Sequence, residues 1–157
     1  MSEGEAAPEE SLGEPSQKLV LIVDDDESLL DLIEHLVQKE GFRTDRAMDG
    51  HEALRKAQAL GPDLIILDYM LPGLSGYEVL RELQASGSGS IPVVVISGRQ
   101  IDRKGIELVR HEPNVREFIA KPVRPAALAA TLHSLLKTKP PDIQRAPGRG
   151  PMSGGVF

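Results

Sequence analysis

The chain has 157 residues, no cysteine, no tryptophan and a formal net charge of −6, from 24 acidic and 18 basic side chains. This length suits one domain with tails. The lack of cysteine excludes disulfides, Cys-ligated metal sites and thiol nucleophiles, and it suits a cytoplasmic location. The apolar run Leu19–Val23 has five residues and none is longer. Because crossing a bilayer takes about 20 residues, we expect no membrane span and no membrane partner.

The two ends of the chain differ in composition from its middle. Residues 1–17 contain five glutamates and no lysine or arginine, whereas residues 138–157 are basic and rich in proline and glycine. Such segments bury too little apolar surface to offset the entropy lost on ordering. We therefore expect disordered tails at 1–17 and 138–157 and one folded body at 18–137. Since the body is acidic and duplex binding normally needs a basic face, we expect no nucleic-acid partner.

Short apolar runs alternate with amphipathic stretches along the body. The runs are short, mostly β-branched and without polar alternation, which predicts strands buried on both faces of a parallel sheet. They lie at Leu19–Val23, Leu64–Leu67 and Val93–Ile96, with two weaker runs at Arg43–Ala47 and Arg116–Ala120. Between them, apolar residues recur at helical spacing, although Gly105 interrupts the fourth helix and predicts that it is short. Five β-α repeats predict a doubly wound α/β fold with helices on both faces.

Polar residues cluster where the predicted strands end, which is where such sheets bind ligands. Asp24 and Asp25 follow the first run, Asp68 the third, Ser97 the fourth and Lys121 the fifth. Clustered carboxylates repel one another unless a cation joins them, and oxygen ligands of this kind favour Mg²⁺. A lysine and a hydroxyl group suit phosphate oxygens. The set predicts Mg²⁺-assisted phosphoryl chemistry with a carboxylate acceptor, because no cysteine and no Ser/His pair is available there.

Four segments carry a resemblance to a known family. The segments "LVLIVDDDESLLDLI", "PDLIILDYMLPGLSGYEVL", "IPVVVISG" and "EFIAKPV" resemble parts of response-regulator receiver domains of two-component signalling. The resemblance covers roughly residues 18–137 and implies a flavodoxin-like fold with a five-stranded parallel sheet in the order 2-1-3-4-5. About 21 residues follow the last predicted helix, too few for a DNA-binding or enzyme domain, so we expect a stand-alone signalling switch that is not an enzyme. Such a switch would receive its phosphoryl group from a histidine kinase or phosphotransfer protein and act on an output protein.

The resemblance also implies a role for each acidic residue at the strand ends. Asp68 would be the phosphoacceptor. Asp24 and Asp25 would hold Mg²⁺ together with Asp68 and the backbone carbonyl of Met70, and the Met70 side chain would border the approach to Asp68. Magnesium is therefore the expected cofactor.

A second group of residues would bind the phosphoryl group and change position in response to it. Ser97 and Lys121 would contact its oxygens, and Phe118 would be the aromatic switch beside them. Gly98 would keep the site open. Arg99 would border the path of water; since arginine has no acceptor to orient that water, we expect slow self-dephosphorylation.

Two alternatives remain open at this point. The segment "DDDESL" also matches the Asp-x-Asp motif of haloacid-dehalogenase-type phosphatases, and Ser97 and Lys121 follow in the right order. That family needs a further acidic residue after the lysine, and here only Asp142, in a predicted tail, follows. The other alternative is an unphosphorylated docking module of the same fold, against which the full set of acidic, hydroxyl and lysine residues argues. Any single aspartate of the motif could also simply cap a helix.

Overall fold

A computed structural model describes residues 11–98 and 103–141. Five parallel strands alternate with five helices, after a 3₁₀ helix at Pro15–Gln17. In chain order the elements are β1 (Leu19–Val23), α1 (Glu27–Lys39), β2 (Arg43–Ala47), α2 (Gly50–Leu60), β3 (Leu64–Asp68), α3 (Gly76–Ala85), β4 (Val93–Ser97), α4 (Arg103–Arg110), β5 (Val115–Ala120) and α5 (Pro125–Leu136). The sheet order β2-β1-β3-β4-β5 confirms the predicted fold. Within the described ranges, no helix is long and apolar enough to span a membrane.

The sheet separates two apolar cores. Side chains alternate across a strand, so Val20 and Ile22 of β1 pack with α1 and α5, while Leu21 and Val23 pack with α2 and α3. Strands β3 and β4 are buried along their whole length, which explains why their sequences are almost continuously apolar. Helix α4 buries only Val109, in agreement with the weak helical pattern of its sequence. It is therefore the helix held least by the core among those described.

Local capping fixes where the helices next to the strand ends begin. The side chain of Asp26 accepts hydrogen bonds from the amides of Ser28 and Leu29, at 3.0 and 3.3 Å, and so starts α1 four residues after the end of β1. Helix α3 begins with a capping box in which Ser75 and Glu78 each accept from the other's amide. Both caps leave the preceding strand end free of helical structure, so that its side chains can form a site.

The described parts of the predicted tails pack on the body. The amide of Gly13 donates to the carbonyl of Lys137 at 2.8 Å, and the amide of Lys139 donates to the carbonyl of Gly13 at 3.0 Å. Pro15 is buried, and the ammonium of Lys139 lies 3.1 Å from the carboxylate of Glu14. The predicted tail boundaries therefore differ from the structure at 11–17 and 138–141. Composition could not show this, because the contact joins the two ends of the chain; residues 1–10 and 142–157 lie outside the described residues.

Candidate functional site

The strand order brings three aspartates together at the carboxyl ends of two neighbouring strands, β1 and β3. Strand β1 lies between β2 and β3, where the chain passes from one half of the sheet to the other, and ligands of such sheets bind beside this point. Asp24 directly follows β1 and Asp68 ends the neighbouring β3. Both are buried, with exposed fractions of 1% and 3%, whereas Asp25 is exposed. Carboxylate oxygens of the three residues lie within 4.8 Å of one another.

Lys121, which follows the edge strand β5, brings a positive charge to this cluster. Its amide donates to the carbonyl of Ser97 at 2.8 Å. Its ammonium nitrogen lies 3.4 Å from Oδ1 of Asp68 and 3.8 Å from Oδ2 of Asp24. With all three carboxylates ionised, the cluster and this lysine together carry a charge of −2. A divalent cation has the charge that would balance it.

Backbone amides orient the two buried carboxylates. The amide of Asp26 donates to Oδ1 of Asp24 at 2.9 Å, and the amide of Met70 donates to Oδ1 of Asp68 at 3.3 Å. The carboxylate of Asp26 itself caps α1 and is exposed, so it lies outside the cluster. The simple capping role that any aspartate of the motif could have had is therefore taken by Asp26, and Asp24 does not cap α1.

Burial makes ionisation of this cluster costly. It raises the pKa of Asp24 to about 6, and the negative charges of Asp68 and Asp25 act in the same direction, against the Asp26 amide and Lys121. The pKa of Asp68 is also raised, again mainly by burial, and Lys121 opposes the shift. A hard cation that binds the ionised carboxylates relieves both burial and repulsion. Since every donor in the cluster is an oxygen, the residues fit Mg²⁺.

The other predicted site residues are placed around this cluster at different distances. Ser97 is buried at the end of β4, next to the register partner of Asp68, and its hydroxyl donates to the carbonyl of Gly98 at 3.2 Å. Met70 is 51% exposed, and its backbone amide contacts the carboxylate of Asp68. Phe118 lies within β5 and packs on the core instead of joining the carboxylates. Arg99 lies outside the described residues.

Gly76 supports the site, and the sequence interpretation gave it no role. Its amide donates to the carbonyl of Tyr69 at 2.9 Å, which closes the loop after β3. A Cβ atom at this position would lie 2.7 Å from Cα of Tyr69 and 3.1 Å from the carbonyl oxygen of Asp68. Only glycine allows the start of α3 to approach the end of β3 so closely. The glycine was visible in the sequence, but its contact with the residues of β3 was not.

Comparison with known proteins assigns the family. Residues 20–133 match the sequence profile of the response regulator receiver domain. The chain belongs to this family. In receiver domains, phosphorylation on an aspartate is the general property, Mg²⁺ is generally bound at an acidic pocket, and the phosphoryl group comes from histidine kinases or phosphotransfer proteins. The family match confirms the resemblance read from the four segments and leaves no support for the dehalogenase-type alternative.

Individual relatives agree with the family. The sensory transduction protein RegX3 of Mycobacterium tuberculosis is 36% identical over 118 residues, which are 75% of this chain and 50% of that protein. The DNA-binding response regulator MtrA of Mycobacterium leprae is 36% identical over 118 residues, 75% of this chain and 51% of MtrA. The structure is similar to that of the chemotaxis protein CheY4 of Vibrio cholerae, with a TM-score of 0.69, 28% identity and coverage of 76% of this chain and 98% of CheY4. The chain thus spans about half the length of RegX3 and MtrA.

We predict that Gly76→Ala destabilises this receiver domain more than Gly73→Ala does. The methyl group at 76 meets backbone atoms that cannot move aside, which should lower the free energy of unfolding by about 3 kcal/mol. Gly73 has a positive φ of 76° and open space around its Cβ position, so alanine there should cost about 1 kcal/mol, from backbone strain alone. Urea unfolding of the two variants measures the difference. Equal losses would show that the loop after β3 does not depend on the close approach.

We also predict that Asp24→Asn stabilises the protein in the presence of a chelator. The raised pKa means that the folded protein binds the carboxyl proton of Asp24 more tightly than the unfolded chain does. Ionisation of Asp24 therefore lowers the stability of the folded protein. This loss is absent below pH 3.8 and complete above about pH 6. Asparagine removes the charge and can still accept from the Asp26 amide. At pH 7.5 the melting temperature should rise by about 5 °C, which corresponds to roughly 1 kcal/mol, and the gain should vanish near pH 4.

Asp31→Asn is the matched control for this measurement. Asp31 is an exposed aspartate of α1 whose ion pair with Arg46 lies outside the cluster, so its replacement should change stability by less than about 1 kcal/mol. Mg²⁺ should raise the melting temperature of wild type and of Asp31→Asn, and raise that of Asp24→Asn less. A metal-free Asp24→Asn protein that melts below wild type at pH 7.5 would contradict the account of a strained, buried carboxylate.

Proposed function

We propose that this receiver domain is a phosphorylation-controlled switch in which Asp68 accepts a phosphoryl group from a histidine kinase or phosphotransfer protein. The observation that carries the proposal is the position of Asp68: buried at the end of a central strand, among three clustered carboxylates, with the Lys121 ammonium 3.4 Å away. Asp24 and Asp25 share the cluster but differ in their surroundings, and those surroundings favour Asp68 as the acceptor.

Each of the other two aspartates has a feature that suits it better to metal binding. Asp24 uses Oδ1 to accept the Asp26 amide and turns Oδ2 toward Lys121. Asp25 is exposed and follows Asp24 directly. In Asp68, both Met70 and Lys121 contact Oδ1. That arrangement leaves Oδ2 as the oxygen that attacks.

In the transfer step, Oδ2 of Asp68 attacks the phosphorus of the donor. For a phosphohistidine donor, the bond between phosphorus and the imidazole nitrogen breaks, and the imidazole leaves with the electron pair. The product is a mixed anhydride between the Asp68 carboxyl group and phosphate. Mg²⁺ held by Asp24, Asp25, Asp68 and the Met70 carbonyl would supply positive charge that offsets the negative charge of the phosphoryl oxygens. The Lys121 ammonium is close enough to bind one of those oxygens.

Phosphorylation would act on the end of the sheet through the groups around Asp68. The new phosphate adds negative charge and strong acceptor oxygens, and Ser97 and Lys121 are the hydroxyl and ammonium groups proposed to bind it. The Lys121 amide is already bonded to the Ser97 carbonyl, so β4 and β5 would respond together. Phe118 precedes Lys121 by three residues and is the proposed switch. Gly98 and Arg99, next along the chain from Ser97, keep their predicted roles at the entrance of the site.

The output of the switch is proposed to be a contact with another protein, a phosphorelay step or a phosphate sink. The acidic body of the chain predicts an output that does not involve nucleic acid. MtrA is named as a DNA-binding regulator, and the chain spans about half of its length. The absence of a nucleic-acid partner and the cytoplasmic location both stay predictions. The following experiment distinguishes this switch from an unphosphorylated docking module of the same fold.

We predict that the protein gains one phosphate when incubated with Mg²⁺ and acetyl phosphate, and none when a chelator replaces Mg²⁺. Asp68→Asn should abolish the gain, because an amide oxygen cannot form the anhydride, whereas the control Asp31→Asn should behave as wild type. Intact-mass spectrometry measures the modification, and hydroxylamine should remove it. Labelling that persists in Asp68→Asn would refute the site, and a wild type that takes no phosphate even from a kinase would favour the docking module.

A further inference from the structure

Helix α4 and strand β5 meet at a contact between an arginine and an aromatic ring. Arg110 is the last residue of α4, and the Cζ atom of its guanidinium lies 5.5 Å from the centroid of the Phe118 ring. A cation within about 6 Å of a ring face is attracted by the ring's electrons. Phe118 is half-buried against the core, while Arg110 is exposed. The arginine therefore covers the side of the ring that the core does not.

The C-terminal end of α4 is anchored, so this contact is preorganised. The side-chain amide of Gln84 in α3 donates to Glu112 at 2.7 Å and to Asn114 at 3.2 Å, and the Asn114 amide donates to the carbonyl of Leu80 at 3.3 Å. Glu112 and Asn114 are both buried. They fix the loop that follows α4 to α3. Since Arg110 precedes Glu112 by two residues, its backbone is held in place relative to β5.

The ring is the specific partner of the Arg110 guanidinium. Among the described residues, no ion pair includes Arg110, although Glu117 lies nearby and lines the same groove. That groove has a volume of about 250 Å³ and is also lined by Val115 and Arg116. The Phe118 ring therefore borders open space on the side of this groove.

We propose that Arg110 is a positioning residue for Phe118, which holds the ring in its observed place and so resists the rearrangement that follows phosphorylation of Asp68. The regulatory part rests on the proposed function. The link between the ring and the site is the end of β5: Phe118 lies three residues before Lys121, and the Lys121 amide donates to the Ser97 carbonyl. Releasing the ring should ease movement of this end of β5. Loss of the guanidinium should therefore speed phosphorylation about two- to fivefold, equivalent to about 0.5–1 kcal/mol for an exposed contact of this kind.

The test compares three arginine variants in the full chain. Arg110→Gln keeps the carbon stem and a polar end but removes the guanidinium and its charge, and Arg110→Lys restores a cation. Arg116→Gln is the matched control, because Arg116 lines the same groove two residues from Phe118 but does not cover its ring. The first readout is the set of ring NMR signals of ¹³C-labelled phenylalanine without Mg²⁺ or phosphate. The chain has only three phenylalanines, and Phe118→Leu assigns the signals of interest.

The second readout is the initial rate of phosphorylation by acetyl phosphate with Mg²⁺, followed by intact mass. We expect Arg110→Gln to shift the Phe118 signals and raise the rate two- to fivefold, Arg110→Lys to restore both in part, and Arg116→Gln to change neither. Unshifted Phe118 signals in Arg110→Gln would overturn the positioning role. Shifted signals with an unchanged or lower rate would overturn its link to phosphorylation. A wild-type protein that takes no phosphate would refute both the proposed function and the effect of Arg110 on phosphorylation. The ring signals would still show whether Arg110 positions Phe118.

Discussion

The repulsion between two buried carboxylates at the ends of neighbouring strands is the constraint around which this receiver domain is arranged. Asp24 and Asp68 are almost completely removed from water, and a third carboxylate lies beside them. One lysine offsets only part of that charge. An apolar pair at these positions would make the domain more stable. The site therefore retains charge at a cost in stability, and a bound divalent cation would relieve that cost.

The surrounding structure holds the carboxylates in place despite their repulsion. The buried, continuously apolar strands β3 and β4 give the site a rigid base. The cap formed by Asp26 starts α1 immediately after the cluster, and Gly76 lets α3 begin close to the end of β3. On the other side, the bond between the Lys121 amide and the Ser97 carbonyl joins β5 to β4. The proposed positioning role of Arg110 would extend this coupling through Phe118 to α4.

Local patterns in the sequence predicted the parallel sheet and the polar residues at its strand ends, and the resemblance to receiver domains implied the strand order. Strands β1, β3 and β4 read as short apolar runs, Asp24 follows the first and Asp68 ends the second. Because β1 and β3 are neighbours in the sheet, the two aspartates come together. The contacts that the sequence did not reveal join residues far apart in the chain. Gly13 bonds to the segment after α5, and Gln84 bonds to the loop before β5. The Arg110 contact also depends on how α4 packs on β5, which no local pattern encodes.

The most direct test of the central claim is to locate the phosphoryl group chemically in the wild-type protein. After incubation with Mg²⁺ and acetyl phosphate, borohydride reduces an aspartyl phosphate to homoserine and leaves free carboxylates unchanged. Peptide mass spectrometry then identifies the modified residue among the three clustered aspartates. The account predicts homoserine at position 68 alone, and only in samples that contained Mg²⁺. Homoserine at position 24 or 25, or phosphate found instead on a hydroxyl side chain, would contradict it.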